Sequence, residues 1–227
     1  MNAKIIQKEK AILLRQRGLS YSEILKQVPV AKSSLSLWLH SVGLSRHQKQ
    51  RLTRKKLLAM KRGWDTIRSR RIALTQKIKN DAKANVPSLI KDPFWLLGTS
   101  LYWAEGAKEK AWRTGEKMAF SNMDLAMHQL FIRWATQYLN LSPERFKFEI
   151  YIHESGDFQR AKRFWGRHLD VSPKAFRVYF KKDKKNSVRR NNNKQYHGVL
   201  RIVVTQGTNL NRKIAGWIDG VIEYFSK

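Results

Sequence analysis

A chain carrying 46 lysines and arginines against 17 aspartates and glutamates must fold against its own charge. The excess is +29 over 227 residues. Self-repulsion of that size opposes compaction unless a polyanion or counterions neutralise it. Phosphate backbones do so well, because each neutralised phosphate releases condensed counterions. Nucleic acid is therefore the expected partner, with a ribosomal or membrane surface as the alternative. Charge alone does not choose between DNA and RNA. Hydrophobic residues nevertheless make up 42% of the chain, including eight tryptophans and ten phenylalanines, enough for a packed core. The length suits one or two domains. Cysteine is absent, which excludes disulfides and thiolate zinc sites. No apolar run reaches the ~18 residues of a membrane span, and MNAKIIQKEK lacks the apolar stretch of a secretory signal. The expected setting is a bacterial or phage cytoplasm, in association with the nucleoid.

The chain divides into three segments, 1–45, 46–91 and 92–227. In the first, Ile5, Ala11, Leu13 and Leu14 fall roughly on one helical face, and Gly18 stops that helix by taking a left-handed cap. Ser20 and Glu23 have capping-box spacing for a second, short helix from Tyr21 to Gln27 or Val28. Pro29 and Val30 make a turn. A third helix is expected from about Lys32 to Ser41, with Leu35, Trp38 and Leu39 as its buried stripe.

Three short helices with a tight turn before the third form a helix-turn-helix arrangement. The stretch GLSYSEILKQVPVAKSSLSLWL resembles the DNA-binding helix-turn-helix of resolvases and many bacterial regulators, with Pro29 replacing the usual glycine of the turn. The resemblance implies a third helix in the major groove, with Lys32, Ser33, Ser34, Ser36 and Leu37 near base edges. Serines donate to several bases or to phosphate, and Leu37 can meet only a thymine methyl.

The middle segment holds 15 lysines and arginines against only Asp65 and Asp81. Leu52, Leu57 or Leu58, Met60, Trp64, Ile67, Ala73, Leu74 and Ile78 recur at near-helical spacing, with Gly63 as a candidate break. A basic linker helix is expected, with Arg54, Lys55, Lys56, Arg70 and Arg71 among the side chains that track phosphates. Pro87 and Pro93 then punctuate a loop, with Asp92 as N-cap of the next helix and Pro93 in its first turn.

That helix, within FWLLGTSLYWAEGAKEK (94–110), is apolar. It carries small residues at Gly98, Ser100 and Ala104, and ends on Glu105-Gly106. It resembles the LAGLIDADG homing-endonuclease motif, in which a helix ends in Asp/Glu-Gly. The order downstream agrees: MAFSNMD as a strand, a helix from Asp124 to Tyr138, the alternating strand FKFEIYIHE, a helix over Phe158–Leu169, the strands FRVYFKK and GVLRIVVTQG, and a last helix from about Asn209 to Phe225. The expected class is α+β: a three-helix DNA-binding domain, a basic helical linker, and a mixed helix and antiparallel-sheet domain over 92–227.

The resemblance implies a sheet lying on double-stranded DNA and Mg²⁺ held at the seam between two motif helices, with Glu105 as catalytic carboxylate and Glu105 and Gly106 at the metal. In IAGWIDGVI (214–222) the position matching the acid is Val221, and Asp219 is out of register, so this stretch reads as an amphipathic closing helix. A second acid must then come from another protomer, making a homodimer, or the domain binds without cutting. That second outcome has a precedent in a sporulation-regulator family of Gram-positive bacteria, which joins an inactive LAGLIDADG-like domain to a helix-turn-helix. RNA binding, as in the intron maturases of the same superfamily, is the third reading. Two weaker features remain. His153, Glu154 and Asp157 follow a strand as a metal or capping cluster. The polar stretch 181–198 offers Lys181, Lys182, Arg189, Arg190 and Lys194 to phosphates, with Asn191 to Asn193 at its tip. Trp95, Trp103, Trp134, Trp165 and Trp217 are expected in the core.

Overall fold

The structure is a computed structural model that describes residues 3–110, 112, 114–182 and 196–227. It is α+β and divides into two compact units, 1–71 and 72–227. The division falls inside the segment expected to form one linker.

In the first unit, helices α1 (Ala3–Gln16), α2 (Tyr21–Leu25) and α3 (Lys32–Leu39) enclose a small core of Ala11, Leu14, Ile24, Val28, Leu35 and Leu39. Ala11 and Leu14 are one turn apart and turn inward. Ile5 and Leu13 are about half exposed, correcting their expected place on that face. Gly18 has φ +88°, the left-handed conformation that ends α1 without a Cβ penalty. The capping box forms as spaced: the Glu23 amide donates to Ser20 Oγ at 3.3 Å, and the Ser20 amide donates to Glu23 Oε2 at 2.7 Å.

Glu23 also accepts from Lys55, and Arg51 lies 3.5 Å from it. The Lys55 hydrogen bond, with those from Ser20, pulls the Glu23 carboxyl from its ordinary 4.5 down to about 2. A carboxyl depressed in the folded state adds stability that is complete above 4.5 and is lost as pH falls through about 2. Thermal melts of the first unit should therefore weaken across that window. Glu23→Gln should flatten the dependence, while Ser20→Ala should cost about 1 kcal/mol at neutral pH.

Helix α4 (Arg46–Ala84) runs without a break through Gly63, where the sequence suggested one. A Cβ added at Gly63 meets nothing within 4 Å, so the glycine answers no packing demand. Leu57, Leu58, Met60, Trp64, Ile67 and Leu74 are all exposed along it.

The second unit contains the end of α4, the single turn α5 (Val86–Leu89), helices α6 (Pro93–Glu105), α7 (Leu125–Leu139), α8 (Phe158–Leu169) and α9 (Thr208–Phe225), and strands β1 (Ala119–Asn122), β2 (Phe146–His153), β3 (Phe176–Lys181) and β4 (Val199–Val204). Asp92 caps α6 by accepting from the Phe94 and Trp95 amides, with Pro93 in the first turn. The strands form one sheet in the order β1-β4-β2-β3. The pairings β1–β4 and β4–β2 are antiparallel, but β2 and β3 run parallel, with Tyr151 opposite Tyr179. This corrects the expected all-antiparallel sheet. The reason is the connection: a crossover through α8 returns the chain to the starting edge, which a hairpin cannot do.

Alternate residues of the strands, among them Phe148, Ile150, Ile152, Leu200, Ile202 and Val204, face a helix-covered core. Trp95, Trp134, Trp165 and Trp217 lie fully buried in that core, as expected, whereas Trp103 is 44% exposed. Trp103 follows the buried Tyr102 by one residue, a 100° step that carries it off the core side. The closing helix α9 packs through glycines. A Cβ on Gly216 would lie 2.4 Å from the Lys79 carbonyl oxygen, and one on Gly220 would lie 2.5 Å from Val86. Asp219 points instead to Lys79, 3.4 Å away, and Val221 is buried.

Candidate nucleic-acid interface

In the first unit Leu35 and Leu39 anchor α3, and the opposite side faces outward. Lys32, Ser33, Ser36 and Leu37 are exposed, Leu37 at 79%, and Ser34 is half-buried. Ala31 at the N-cap offers no side chain to the first amides of α3, so these donors remain open to an external acceptor. On α4, Arg54, Lys56, Arg70 and Arg71 are exposed, while Lys55 is held by Glu23.

In the second unit the sheet has an open face. Strand alternation puts Lys147, Glu149, Tyr151 and His153 of β2, Arg177, Tyr179 and Lys181 of β3, and Arg201 of β4 on the side away from the core. Register sets Arg177 and Arg201 on either side of Glu149. The rings of Tyr151 and Tyr179 stack at 4.9 Å, and Lys181 Nζ lies 5.8 Å from the Tyr151 centroid. Arg201 also approaches Glu116 at 3.9 Å, beside a cavity of about 340 Å³ whose walls include Lys117 and Tyr151. The face is thus basic and aromatic, a combination that meets both phosphate and base.

Glu105 is exposed on the last turn of α6. Beyond it, the buried Gly106 bridges to Phe120 of β1, and its amide donates to the Tyr102 carbonyl. The buried Tyr102 hydroxyl donates to Ala107 O at 2.8 Å, and burial pushes its pKa well up. The next acid, Glu109, receives both Nε and Nη2 of the buried Arg212 from α9, at 3.1 and 3.2 Å, and is engaged there. Among the described residues, no three His, Asp or Glu side chains gather into a group able to hold a metal ion. Asp157 caps α8 by accepting from the Arg160 amide at 2.9 Å, and the His153 ring stacks on Tyr196 at 6.2 Å.

The candidate positions thus separate into two groups of exposed cations, one in each unit. Lys181 and Lys182 stand exposed at the end of β3, and Arg189, Arg190 and Lys194 lie outside the described residues. Lys147, Arg177 and Arg201 did not emerge from the sequence, although the alternation that marked their strands also marked their face. Among the described residues, no helix is long and apolar enough to cross a membrane. No family model matches the chain, and neither does any curated protein or solved structure.

Proposed function

We propose that this protein binds double-stranded DNA through both units. In this reading α3 is the reading helix of a helix-turn-helix, and the open sheet face lies along the backbone. The observation that carries it is the open face itself. Lys147, Arg177, Lys181 and Arg201 surround a stacked tyrosine pair, with Glu149 as the acid between them. The test is a duplex-binding titration at several salt concentrations with Lys147→Ala/Arg177→Ala/Lys181→Ala. Affinity should fall, and the slope of log K against log salt should shrink by about one for each phosphate left without its cation. The three side chains lie at the surface, so the melting temperature should not move. Unchanged affinity and slope would take the sheet out of the interface.

Exposure along α6 favours a second reading, a LAGLIDADG-type endonuclease. Leu97 is 50% exposed, Ser100 and Ala104 are exposed and Leu101 is half-buried, so this helix offers a small-residue and apolar face that ends on Glu105. A second copy across that face would bring two Glu105 carboxylates together, supplying the acid that one chain lacks for Mg²⁺. The alternative is a regulator that binds without cutting. Incubating a mixed DNA library with Mg²⁺ or Mn²⁺ separates them. Strand scission by the wild type, abolished in Glu105→Gln, supports the nuclease. Binding without cutting under either metal leaves the regulator.

A further inference from the structure

Helix α8 packs on the covered face of the sheet through Ala161 and Trp165, and its outer side carries Arg160, Arg163 and Arg167 at successive turns. With Phe164, His168 and His197 they line a cavity of about 230 Å³. His197, just before β4, stacks on Phe164 with ring centroids 3.8 Å apart, and the Trp165 indole donates to its carbonyl at 2.9 Å. His168 Nδ1 bonds to the Phe164 carbonyl at 2.8 Å, so any further partner of the ring meets Nε2. Two buried polar atoms of the cluster, Arg160 Nε and His197 Nδ1, have no partner among the described residues. No acid of the described residues lines the cavity. The nearby Asp157 carboxylate accepts from the first amides of α8 and also feels the charges of Arg163 and Arg160, so it offsets part of their charge without lining the cavity. Burial, followed by the charges of Arg160 and His168, holds His197 below the ordinary histidine value, so these cations crowd one another.

Guanidinium donors converging on a small cavity call for an anion with several acceptor oxygens. The volume is below the ~300 Å³ at which pockets for drug-sized ligands begin, so the anion is small. The site lies on α8, away from the open sheet face, so a duplex on that face does not supply the charge. We propose that this cluster is a binding site for a phosphate monoester, in which Arg160, Arg163 and Arg167 grip the phosphoryl oxygens and His168 and His197 donate to them.

The test follows the ring signals of the chain's six histidines by NMR at fixed pH and ionic strength. Inorganic phosphate is titrated in one arm and a nucleoside 5′-monophosphate in the other. Saturable shifts should appear at His168 and His197 and not at the other four. Tighter binding of the nucleotide than of inorganic phosphate supports a monoester ligand, and equal or weaker binding of the nucleotide overturns the monoester in favour of the free anion. Arg163→Gln/Arg167→Gln, both on exposed positions, should weaken saturation at least tenfold, and Arg54→Gln/Arg70→Gln on α4 should not. Linear, non-saturating shifts in both arms, or equal affinity in the α8 variant, overturns the site.

Discussion

Replacing Gly98 by alanine should destabilise the second unit by about 2 kcal/mol, from an overpacking cost of about 3 kcal/mol partly offset by helix propensity. A Cβ at this position would stand 2.1 Å from Trp134 Cδ1 and 2.2 Å from Cγ, well inside contact distance. The ring has no room to retreat. Trp134 is fully buried, 6.1 Å from the Tyr102 ring and 6.2 Å from both Phe131 and Trp217. The strain must then pass to the backbone of α6 or α7, whose close approach is possible because position 98 lacks a side chain. Alanine's better helix propensity returns only about 1 kcal/mol. For a unit of this size the net change of about 2 kcal/mol lowers the melting temperature by about 4–8 °C. Tryptophan fluorescence during thermal unfolding reads it directly, because the strained ring is itself a reporter. Gly63→Ala is the matched control. It places the same methyl in a helix interior where nothing lies within 4 Å, so it should stabilise by up to about 1 kcal/mol. A Gly98→Ala protein that melts like the wild type would mean that α6 and α7 do not pack as described.

The contrast between those two glycines marks what the sequence makes legible. Each lies within a helical pattern, and although one segment is basic and the other apolar, nothing local names the Trp134 ring that Gly98 admits. The features read correctly are those fixed within a few residues. Ser20 and Glu23 satisfy each other, Asp92 and Pro93 start α6, and Asp157 starts α8 at the expected residue. The strands were legible because alternation is local too. Their pairing was not: the parallel β2–β3 ladder joins residues 28 positions apart, as in Phe148 opposite Phe176. The open face fell between these cases. Alternation marks Lys147, Arg177 and Arg201 in the sequence, but only register sets them on one surface around Glu149. At Glu105 the end of α6 was legible, whereas the engagement of Glu109 by Arg212 of α9 depends on the fold.

Raising salt from 50 to 200 mM should weaken duplex binding by about 10³–10⁵-fold if 6–10 phosphates are neutralised. The exposed cations are sufficient for such a count. Lys32, Arg54, Lys56, Arg70 and Arg71 in the first unit, with Lys147, Arg177 and Lys181 in the second, make eight before the half-buried Arg201 is added. The described acids meet only part of the positive charge: Glu23 is shared by Arg51 and Lys55, and Glu149 faces two arginines. Counterion release is therefore the largest available contribution to binding, and it carries no sequence information. A flat salt response would remove the charge argument and the proposed function with it. In the proposed function discrimination comes from α3, and that would separate DNA from RNA. A helix enters the major groove of B-form DNA but not the deep, narrow major groove of an A-form duplex. Ser33→Ala/Ser36→Ala/Leu37→Ala should therefore erode preference among DNA sequences while leaving affinity for double-stranded RNA and its salt slope unchanged. Equal losses on both duplexes would show α3 touching backbone alone, and a tighter complex with RNA than with DNA would overturn the choice of partner.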